Sequence, residues 1–158
     1  MDAFDNILVI CIGNICRSPM AAALLTERYS DKHIESAGLS ALIGHSADTT
    51  AIELMARHDI DISSHVTKQI SETLAKEADL ILTMTTEQTK WIESRWPYCR
   101  GKTFRIGCWL HKDIIDPYQL DVEVFEISRQ DIVDSLEQWN DKISDATPIQ
   151  TSTLSECY

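Results

Sequence analysis

The chain has 158 residues, of which 44% are apolar, and its 14 basic and 25 acidic side chains give a net charge of −11. This length predicts one domain with a sizeable core, and the acidic balance argues against nucleic acid or an anionic membrane as a partner. No run approaches the ~20 apolar residues of a membrane-spanning helix, and residues 1–5 carry no targeting signal, so we expect a cytoplasmic protein without membrane insertion. Five irregularly spaced cysteines favour reduced thiols over a disulfide framework.

Apolar runs alternate with segments of helical spacing along the chain. In chain order, the predicted elements are strand Ile7–Ile10, helix Arg17–Tyr29, strand Ile34–Ala37, a helix from Asp48 to about His58, strand Asp79–Met84, helix Thr86–Trp96, strand Thr103–Ile106 and helix Val122–Ile143. Strands separated by helices predict an α/β fold, in which a four-stranded, mostly parallel sheet carries helices on both faces.

Capping residues and one apolar face support these helices. Ser18 is expected near the cap of the first helix, with Pro19 in its first turn, and Asp48 is expected to cap the second. The last helix carries apolar residues on one face, at Phe125, Ile132, Leu136, Trp139 and Ile143. We expect the domain to span residues 1–146 and the polar tail, residues 147–158, to be loosely ordered.

The loop Cys11–Ser18 joins the first strand to the first helix. Its sequence, Cys-Ile-Gly-Asn-Ile-Cys-Arg-Ser, places a thiol, a guanidinium and a hydroxyl beside a helix start, where unpaired N–H groups and the helix dipole favour an anion. There Cys11 is expected to lie partly as the thiolate. Arg17 suits bidentate contact with phosphate, while Gly13 and Asn14 permit unusual backbone torsions. The pattern predicts attack on a phosphate by sulfur.

This loop resembles the signature of low-molecular-weight protein tyrosine phosphatases. Far downstream, Asp116-Pro117-Tyr118 resembles that family's general-acid loop. Further segments similar to the family occur in its order, at Ser36–Gly38, Ser64–His65 and Asp79–Met84. The resemblance covers Ile7 to about Ile143, and within the family the chain looks most like bacterial enzymes that act on tyrosine autokinases of capsule and exopolysaccharide export.

The resemblance implies a protein-tyrosine phosphatase that works through a cysteinyl-phosphate intermediate. Cys11 would attack phosphorus, Arg17 would hold the equatorial oxygens of the loose transition state, and Asp116 would protonate the leaving phenolate and later activate water. Phosphate binding is implied for Ile12, Gly13, Asn14, Ile15, Cys16, Arg17 and Ser18. No metal or other cofactor is implied.

The resemblance also implies supporting roles around the loop. Side chains that hold the loop open would be Asn14, Ser18, Ser36 and His65. Cys16 would be a resolving thiol that traps oxidised Cys11 as a reversible disulfide.

The substrate cleft is expected to be lined by Ile12, Leu42 and Tyr118. Animal members of the family carry a tryptophan where Leu42 falls and a second aromatic where Gln119 stands, so we expect a more open, aliphatic cleft here. The implied partner is a phosphotyrosine protein, specifically a membrane tyrosine autokinase, acted on by a monomeric phosphatase.

Several alternatives remain open from the sequence alone. Arsenate reductase uses a similar loop but carries relay cysteines just after the third strand, where this chain has none before Cys99. A non-catalytic oxyanion-binding or redox-sensing module is a second alternative. Taken singly, Cys11 or Cys16 is equally typical of core packing, and Asp116 before a proline is typical of a turn. Two cysteines without further ligands do not predict a zinc site.

Overall fold

A sheet of four parallel strands forms the centre of the molecule. The computed structural model describes residues 4–144, with strands β1 (Asn6–Cys11), β2 (His33–Gly38), β3 (Leu80–Thr83) and β4 (Thr103–Arg105). Their order across the sheet is β2-β1-β3-β4, and every pairing is parallel. Ile7 of β1 pairs with Ile34 of β2 on one side and with Leu80 of β3 on the other. The predicted α/β fold class is therefore confirmed.

Five α-helices connect and cover the strands. They are α1 (Arg17–Arg28), α2 (Thr49–Arg57), α3 (Glu72–Glu77), α4 (Thr86–Arg95) and α5 (Val122–Ser144), with short 3-10 turns at Pro97–Cys99 and Cys108–Leu110. All but α3 lie where the sequence predicted helices, within one or two residues at each end. We did not predict α3, because a six-residue helix that buries only Ala75 has no apolar period to detect.

The helix caps agree with the sequence at α2, and at α1 Ser18 and Pro19 lie next to the cap, in the first turn. Asp48 accepts a hydrogen bond from the Thr50 N–H at 2.8 Å, which confirms it as the cap of α2. Ser18 does not cap α1: the residue at that position is Cys16, whose side chain makes no capping bond. Ser18 lies inside the first turn, where its hydroxyl contacts Cys11 instead.

The strands alternate their side chains between two apolar clusters. Ile7, Val9 and Cys11 pack on one face of the sheet, and the intervening Leu8 and Ile10 pack on the other. The first cluster also receives the predicted face of α5, all of it buried: Phe125, Ile132, Leu136, Trp139 and Ile143. Burying both faces of each strand explains why the strands are continuous apolar runs.

The fold places the Cys11 loop at the carboxyl edge of the sheet. Cys11 is the last residue of β1, and α1 begins at Arg17, so residues 12–16 form a short connection at that edge. Ligands of open parallel sheets bind at this edge. Within residues 4–144, no helix is long and apolar enough to cross a membrane. The tail predicted over residues 147–158 lies outside the described residues.

Candidate active site

The backbone of the loop is anchored through its carbonyl groups. Within residues 12–16, three carbonyls accept hydrogen bonds from backbone N–H groups outside the loop: Ile12 from Ser40 at 2.9 Å, Ile15 from Asp48 at 2.8 Å, and Cys16 from Met20 at 3.3 Å. Because the carbonyls point outward, the N–H groups are left to face the interior of the loop. Among the turn and loop contacts of residues 4–144, no backbone acceptor is bound by the N–H groups of Gly13, Ile15, Cys16 or Arg17. These donors form an anion cradle.

Of the two backbone positions that the sequence suggested, Asn14 is confirmed and Gly13 is not. Asn14 takes the left-handed conformation, with φ of 62°, whereas Gly13 does not need it. The glycine that the geometry requires is Gly38, at the end of β2. A Cβ there would lie 2.5 Å from the Ile12 carbonyl oxygen and 3.1 Å from the Asn14 nitrogen. Gly38 therefore lets β2 pass directly beneath the loop, a role that the sequence analysis missed.

Cys11 lies at the base of the cradle and is 3% exposed. Its sulfur is hydrogen-bonded to the Ser18 hydroxyl at 2.9 Å and accepts a bond from the Asn14 N–H at 3.2 Å. The Asn14 N–H is the donor in its contact, and the Ser18 hydroxyl is able to donate in the other.

The buried Asn14 side chain connects the loop to three other segments. Its amide nitrogen donates to the Ser18 hydroxyl at 2.8 Å and to the Ser36 hydroxyl at 2.9 Å. Its oxygen accepts from the backbone N–H of Lys68 at 3.0 Å. These bonds satisfy the whole carboxamide and fix the unusual backbone at Asn14. The Lys68 contact uses a backbone group, so no sequence signal could have revealed it.

His65 contacts the backbone of the loop through its imidazole ring. Its Nε2 lies 2.8 Å from the Asn14 carbonyl oxygen, at hydrogen-bonding distance. Burial lowers the pKa of His65, and the nearby Lys68 charge acts in the same direction, while the bond to Asn14 opposes both. A neutral ring that donates from Nε2 meets these conditions, which makes His65 a structural partner of the loop.

Arg17 and Asp116 approach each other across the cradle. Arg17 is 3% exposed, and its guanidinium donates to the Ile114 carbonyl at 2.9 Å and lies 3.5 Å from the Asp116 carboxylate. Asp116 is 48% exposed and accepts a bond from the Tyr118 N–H at 3.1 Å. The turn predicted from Asp-Pro is therefore present, and it aims a carboxylate at the same space as the guanidinium.

A cleft of about 190 Å³ opens above the sulfur. It is lined by Cys11, Ile12, Gly13, Ile15, Cys16, Arg17, Ser40, Leu42, Asp116 and Tyr118. Nine of these ten belong to the residues predicted from the sequence, which are brought together from three separate segments of the chain. Ser40 is the exception, and its only signal was its position two residues after Gly38.

Comparison with known proteins agrees with this geometry. The family model described as low molecular weight phosphotyrosine protein phosphatase matches residues 6–148. The chain belongs to that family. A low molecular weight protein-tyrosine-phosphatase, Ptp, from Acinetobacter johnsonii is 54% identical over 123 residues, or 78% of this chain and 87% of the relative. A probable phosphatase of the same kind, EpsP from Ralstonia nicotianae, is 45% identical over 87% of this chain and 95% of its own length.

A solved structure shows the same fold with an oxyanion. The tyrosine phosphatase Wzb from Escherichia coli K30, crystallised in complex with sulphate, superposes with a TM-score of 0.84 at 38% identity, covering 88% of this chain and 98% of Wzb. The chain is thus a protein-tyrosine phosphatase of this family in fold and sequence, and its activity is that of a phosphoric monoester hydrolase.

Two thiols of the phosphatase lie in the cradle, but their surroundings differ. Burial raises the pKa of Cys16 far above its ordinary value, and the Asp48 charge adds to the effect. Cys16 is therefore a neutral thiol at physiological pH, whereas the Cys11 sulfur accepts a hydrogen bond from the Asn14 N–H and is hydrogen-bonded to the Ser18 hydroxyl. This difference makes Cys11, rather than Cys16, the candidate nucleophile.

Cys99, the first cysteine after the third strand of the phosphatase, does not pack with Cys11. Cys99 is buried in the cluster on the opposite face of the sheet from Cys11. Residues 4–144 also contain no group of three or more His, Cys, Asp or Glu side chains arranged to hold a metal ion.

The cleft wall that carries Leu42 is fixed by residues that the sequence analysis missed. The Gln69 carboxamide donates to the Leu39 carbonyl at 2.7 Å and accepts from the Ala41 N–H at 2.8 Å. The Thr67 hydroxyl donates to the Leu42 carbonyl. Isolated polar residues of this kind carry no sequence signal, because only the fold brings them beside the loop.

Proposed function

We propose that this phosphatase hydrolyses phosphotyrosine by nucleophilic attack of Cys11, with Arg17 binding the phosphoryl group and Asp116 acting as general acid and base. The observation that carries the proposal is the convergence in one cleft of a hydrogen-bonded sulfur, a guanidinium, a carboxylate and four N–H groups that bind no backbone acceptor among residues 4–144. No part of this arrangement requires a metal.

The first chemical step transfers the phosphoryl group to the enzyme. The Cys11 thiolate attacks phosphorus in line with the phenolic oxygen, a P–S bond forms and the P–O bond to the ring breaks. The negative charge of the three equatorial oxygens is met by the loop N–H groups and by Arg17. Asp116, in its protonated form, gives its proton to the departing phenolate.

The second step releases inorganic phosphate. Water attacks the cysteinyl-phosphate while the Asp116 carboxylate accepts its proton, the P–S bond breaks, and the thiolate is restored. The Ser18 hydroxyl and the Asn14 N–H stabilise the leaving thiolate as they stabilise the attacking one. The same two donors therefore assist both steps.

We propose that the depth of the cleft selects phosphotyrosine. The sulfur lies at its base, while Ile12, Leu42 and Tyr118 form its walls. A phosphorylated aromatic ring spans that depth and contacts the walls, whereas the shorter side chain of phosphoserine would have to bring its backbone into the cleft.

The physiological substrate that we propose is a membrane tyrosine autokinase of capsule or exopolysaccharide export. The support is the similarity to the enzymes named EpsP and Wzb. We further propose that the phosphatase acts as a monomer in the cytoplasm, where the thiols of Cys11 and Cys16 stay reduced.

The test compares wild-type protein with Cys11→Ser on three substrates: p-nitrophenyl phosphate, a phosphotyrosine peptide and the matched phosphoserine peptide. We expect the wild type to hydrolyse the first two under reducing conditions and to leave the third nearly intact. Cys11→Ser should hydrolyse none, and, used as a trap in a pull-down, should retain the phosphorylated kinase. Turnover by Cys11→Ser, or an inactive wild type, would refute the proposal.

A further inference from the structure

Exposed apolar side chains surround the mouth of the cleft. Five of them, which we call the apolar rim, are between 43% and 69% exposed: Ile12, Leu42, Ile43, Tyr118 and Leu120. Three line the cleft itself. Ile43 follows Leu42 directly, and Leu120 belongs to the turn of Tyr118, closed by its N–H bond to the Pro117 carbonyl at 2.9 Å.

The rim is carried on backbone that is held in place. Gln69 and Thr67 bond to the segment that carries Leu42 and Ile43. The Gly44 N–H donates to the Thr67 carbonyl at 3.0 Å, immediately after Ile43. Apolar side chains that stay exposed to water, on a hydrogen-bonded backbone beside a substrate cleft, are typical of a binding surface.

The charges around the rim have one sign. Residues 38–47, on one side of the cleft, contain no Asp, Glu, Lys or Arg. Residues 114–123, on the other side, contain three exposed acids, Asp116, Asp121 and Glu123, and no Lys or Arg. The single cation that lines the cleft is Arg17, which is buried at its base. A phosphate is therefore attracted inside the cleft, and an acidic segment that lies against residues 114–123 meets repulsion, with no Lys or Arg in either of these two stretches to compensate it.

We infer that the apolar rim docks the residues on either side of the phosphotyrosine, and that it selects substrate segments with apolar and basic neighbours over segments with acidic neighbours. The inference rests on the proposed function and adds the chemistry of the substrate segment to it. Because the apolar rim continues directly from the cleft, the polypeptide that docks on it is the substrate segment that bears the phosphotyrosine.

Matched phosphopeptides of equal length test this selection. They carry leucine, lysine or glutamate at the positions next to phosphotyrosine, and free phosphotyrosine serves as the reference. We expect kcat/KM for the leucine and lysine peptides to exceed that for the glutamate peptide by about tenfold at low salt. The lysine-to-glutamate ratio should shrink at about 0.5 M NaCl, where charges are screened, while the leucine peptide keeps its rate.

Variants outside the catalytic machinery separate the rim from the chemistry. The double variant Ile43→Ser, Leu120→Ser should lower kcat/KM for the leucine peptide about tenfold, because apolar contact is lost. Its kcat/KM for free phosphotyrosine should stay within about twofold of the wild-type value. The matched control is Trp91→Ser, an exposed apolar residue that lines a separate cavity with Trp96, and it should change neither rate.

Three results would overturn the inference. One is that the phosphatase hydrolyses free phosphotyrosine and hydrolyses all three peptides at equal rates. That result would leave the proposed function intact. Another is a preference for the glutamate peptide. The third is a concentration-dependent dimer that blocks peptide turnover and is abolished by the double variant, which would assign the rim to a second copy of the chain. Failure to hydrolyse free phosphotyrosine would overturn the proposed function itself.

Discussion

The guanidinium of Arg17 lies 3.5 Å from the carboxylate of Asp116, so the residue proposed to bind phosphate is paired with the residue proposed to donate the proton. Arg17 is almost fully buried, while Asp116 is about half exposed to water. An incoming phosphate dianion competes with Asp116 for the guanidinium. In the mechanism that we propose, substrate binding would release the carboxyl group towards the leaving oxygen above the cradle.

Replacing the acid should separate catalysis from binding. We expect Asp116→Asn to lower kcat for a phosphotyrosine peptide by about 10²–10⁴-fold, because the phenolate must leave unprotonated. Inhibition by inorganic phosphate should stay unchanged or become a few-fold tighter, since a negative charge beside Arg17 is removed and the half-exposed pair is screened by water. Steady-state kinetics with phosphate as inhibitor measures both.

The control for this prediction is Asp113→Asn, a half-exposed acid paired with Arg105 outside the cleft, which should keep kcat. The leaving group provides a second check. The p-nitrophenolate ion leaves more easily than the phenolate of tyrosine, whose pKa is about 10, so Asp116→Asn should lose less activity on p-nitrophenyl phosphate. Equal losses on both substrates would show that Asp116 does not donate the proton.

Substitution by alanine should destabilise the protein more at Gly38 than at Gly13. Gly38→Ala places a Cβ 2.5 Å from the Ile12 carbonyl oxygen, which must push the loop away. We expect a loss of about 1–3 kcal/mol in the free energy of unfolding from this overpacking, with a clear fall in kcat/KM. Gly13→Ala meets only the Ile15 side chain at 3.4 Å and should cost less than about 1 kcal/mol. Urea unfolding measures both, and equal losses would contradict the geometry.

His65 should make stability depend on pH. Burial lowers the pKa of His65 below its ordinary value of 6.5, so between the two values the unfolded chain binds a proton that the folded chain does not. The free energy of unfolding therefore falls as the pH drops through 6.5 and levels off below the lowered pKa. His65→Gln should reduce the difference in unfolding free energy between about pH 8 and about pH 5. The control His45→Gln, at an exposed position, should show the same difference in unfolding free energy between the two pH values as the wild type. If His65→Gln also showed that same difference, His65 would not be the source of the pH dependence.

Cys16 should protect the nucleophile from irreversible oxidation. After peroxide converts Cys11 to a sulfenic acid, condensation with the Cys16 thiol forms a disulfide and releases water. We expect mild peroxide to inactivate the wild type and added thiol to restore it, with a Cys11–Cys16 bond found by peptide mapping. Cys16→Ser should lose activity that thiol does not recover. Full recovery in Cys16→Ser, or a Cys16 that stays free, would remove this role.

Long buried segments were the easiest to predict from the sequence. β3 was recognised because parallel strands covered on both faces are continuous apolar runs, and Leu80–Thr83 is buried throughout. The apolar face of α5 followed from its 3.6-residue period in the same way. By contrast, α3 is too short to show any period, so only its place in the folded chain reveals it.

The candidate site was predictable where side chains carry the chemistry and unpredictable where the backbone does. The thiol, guanidinium and carboxylate of the cleft are distinctive in sequence, and the fold brings them together. The Lys68 N–H and the Ile114 carbonyl, which hold Asn14 and Arg17, are groups that every residue type presents. Gly38 was missed for a related reason, since its contact with Ile12 depends on how closely β2 passes beneath the loop.

The central claim is that Cys11 carries the phosphoryl group during turnover. Rapid acid quenching of wild-type protein with a phosphotyrosine peptide, followed by mass spectrometry of the intact chain and its peptides, tests it directly. The account predicts one transient phosphoryl group per chain, bound to Cys11 and lost as phosphate is released. A phosphoryl group on any other residue, or continued turnover by Cys11→Ser with no adduct at all, would contradict it.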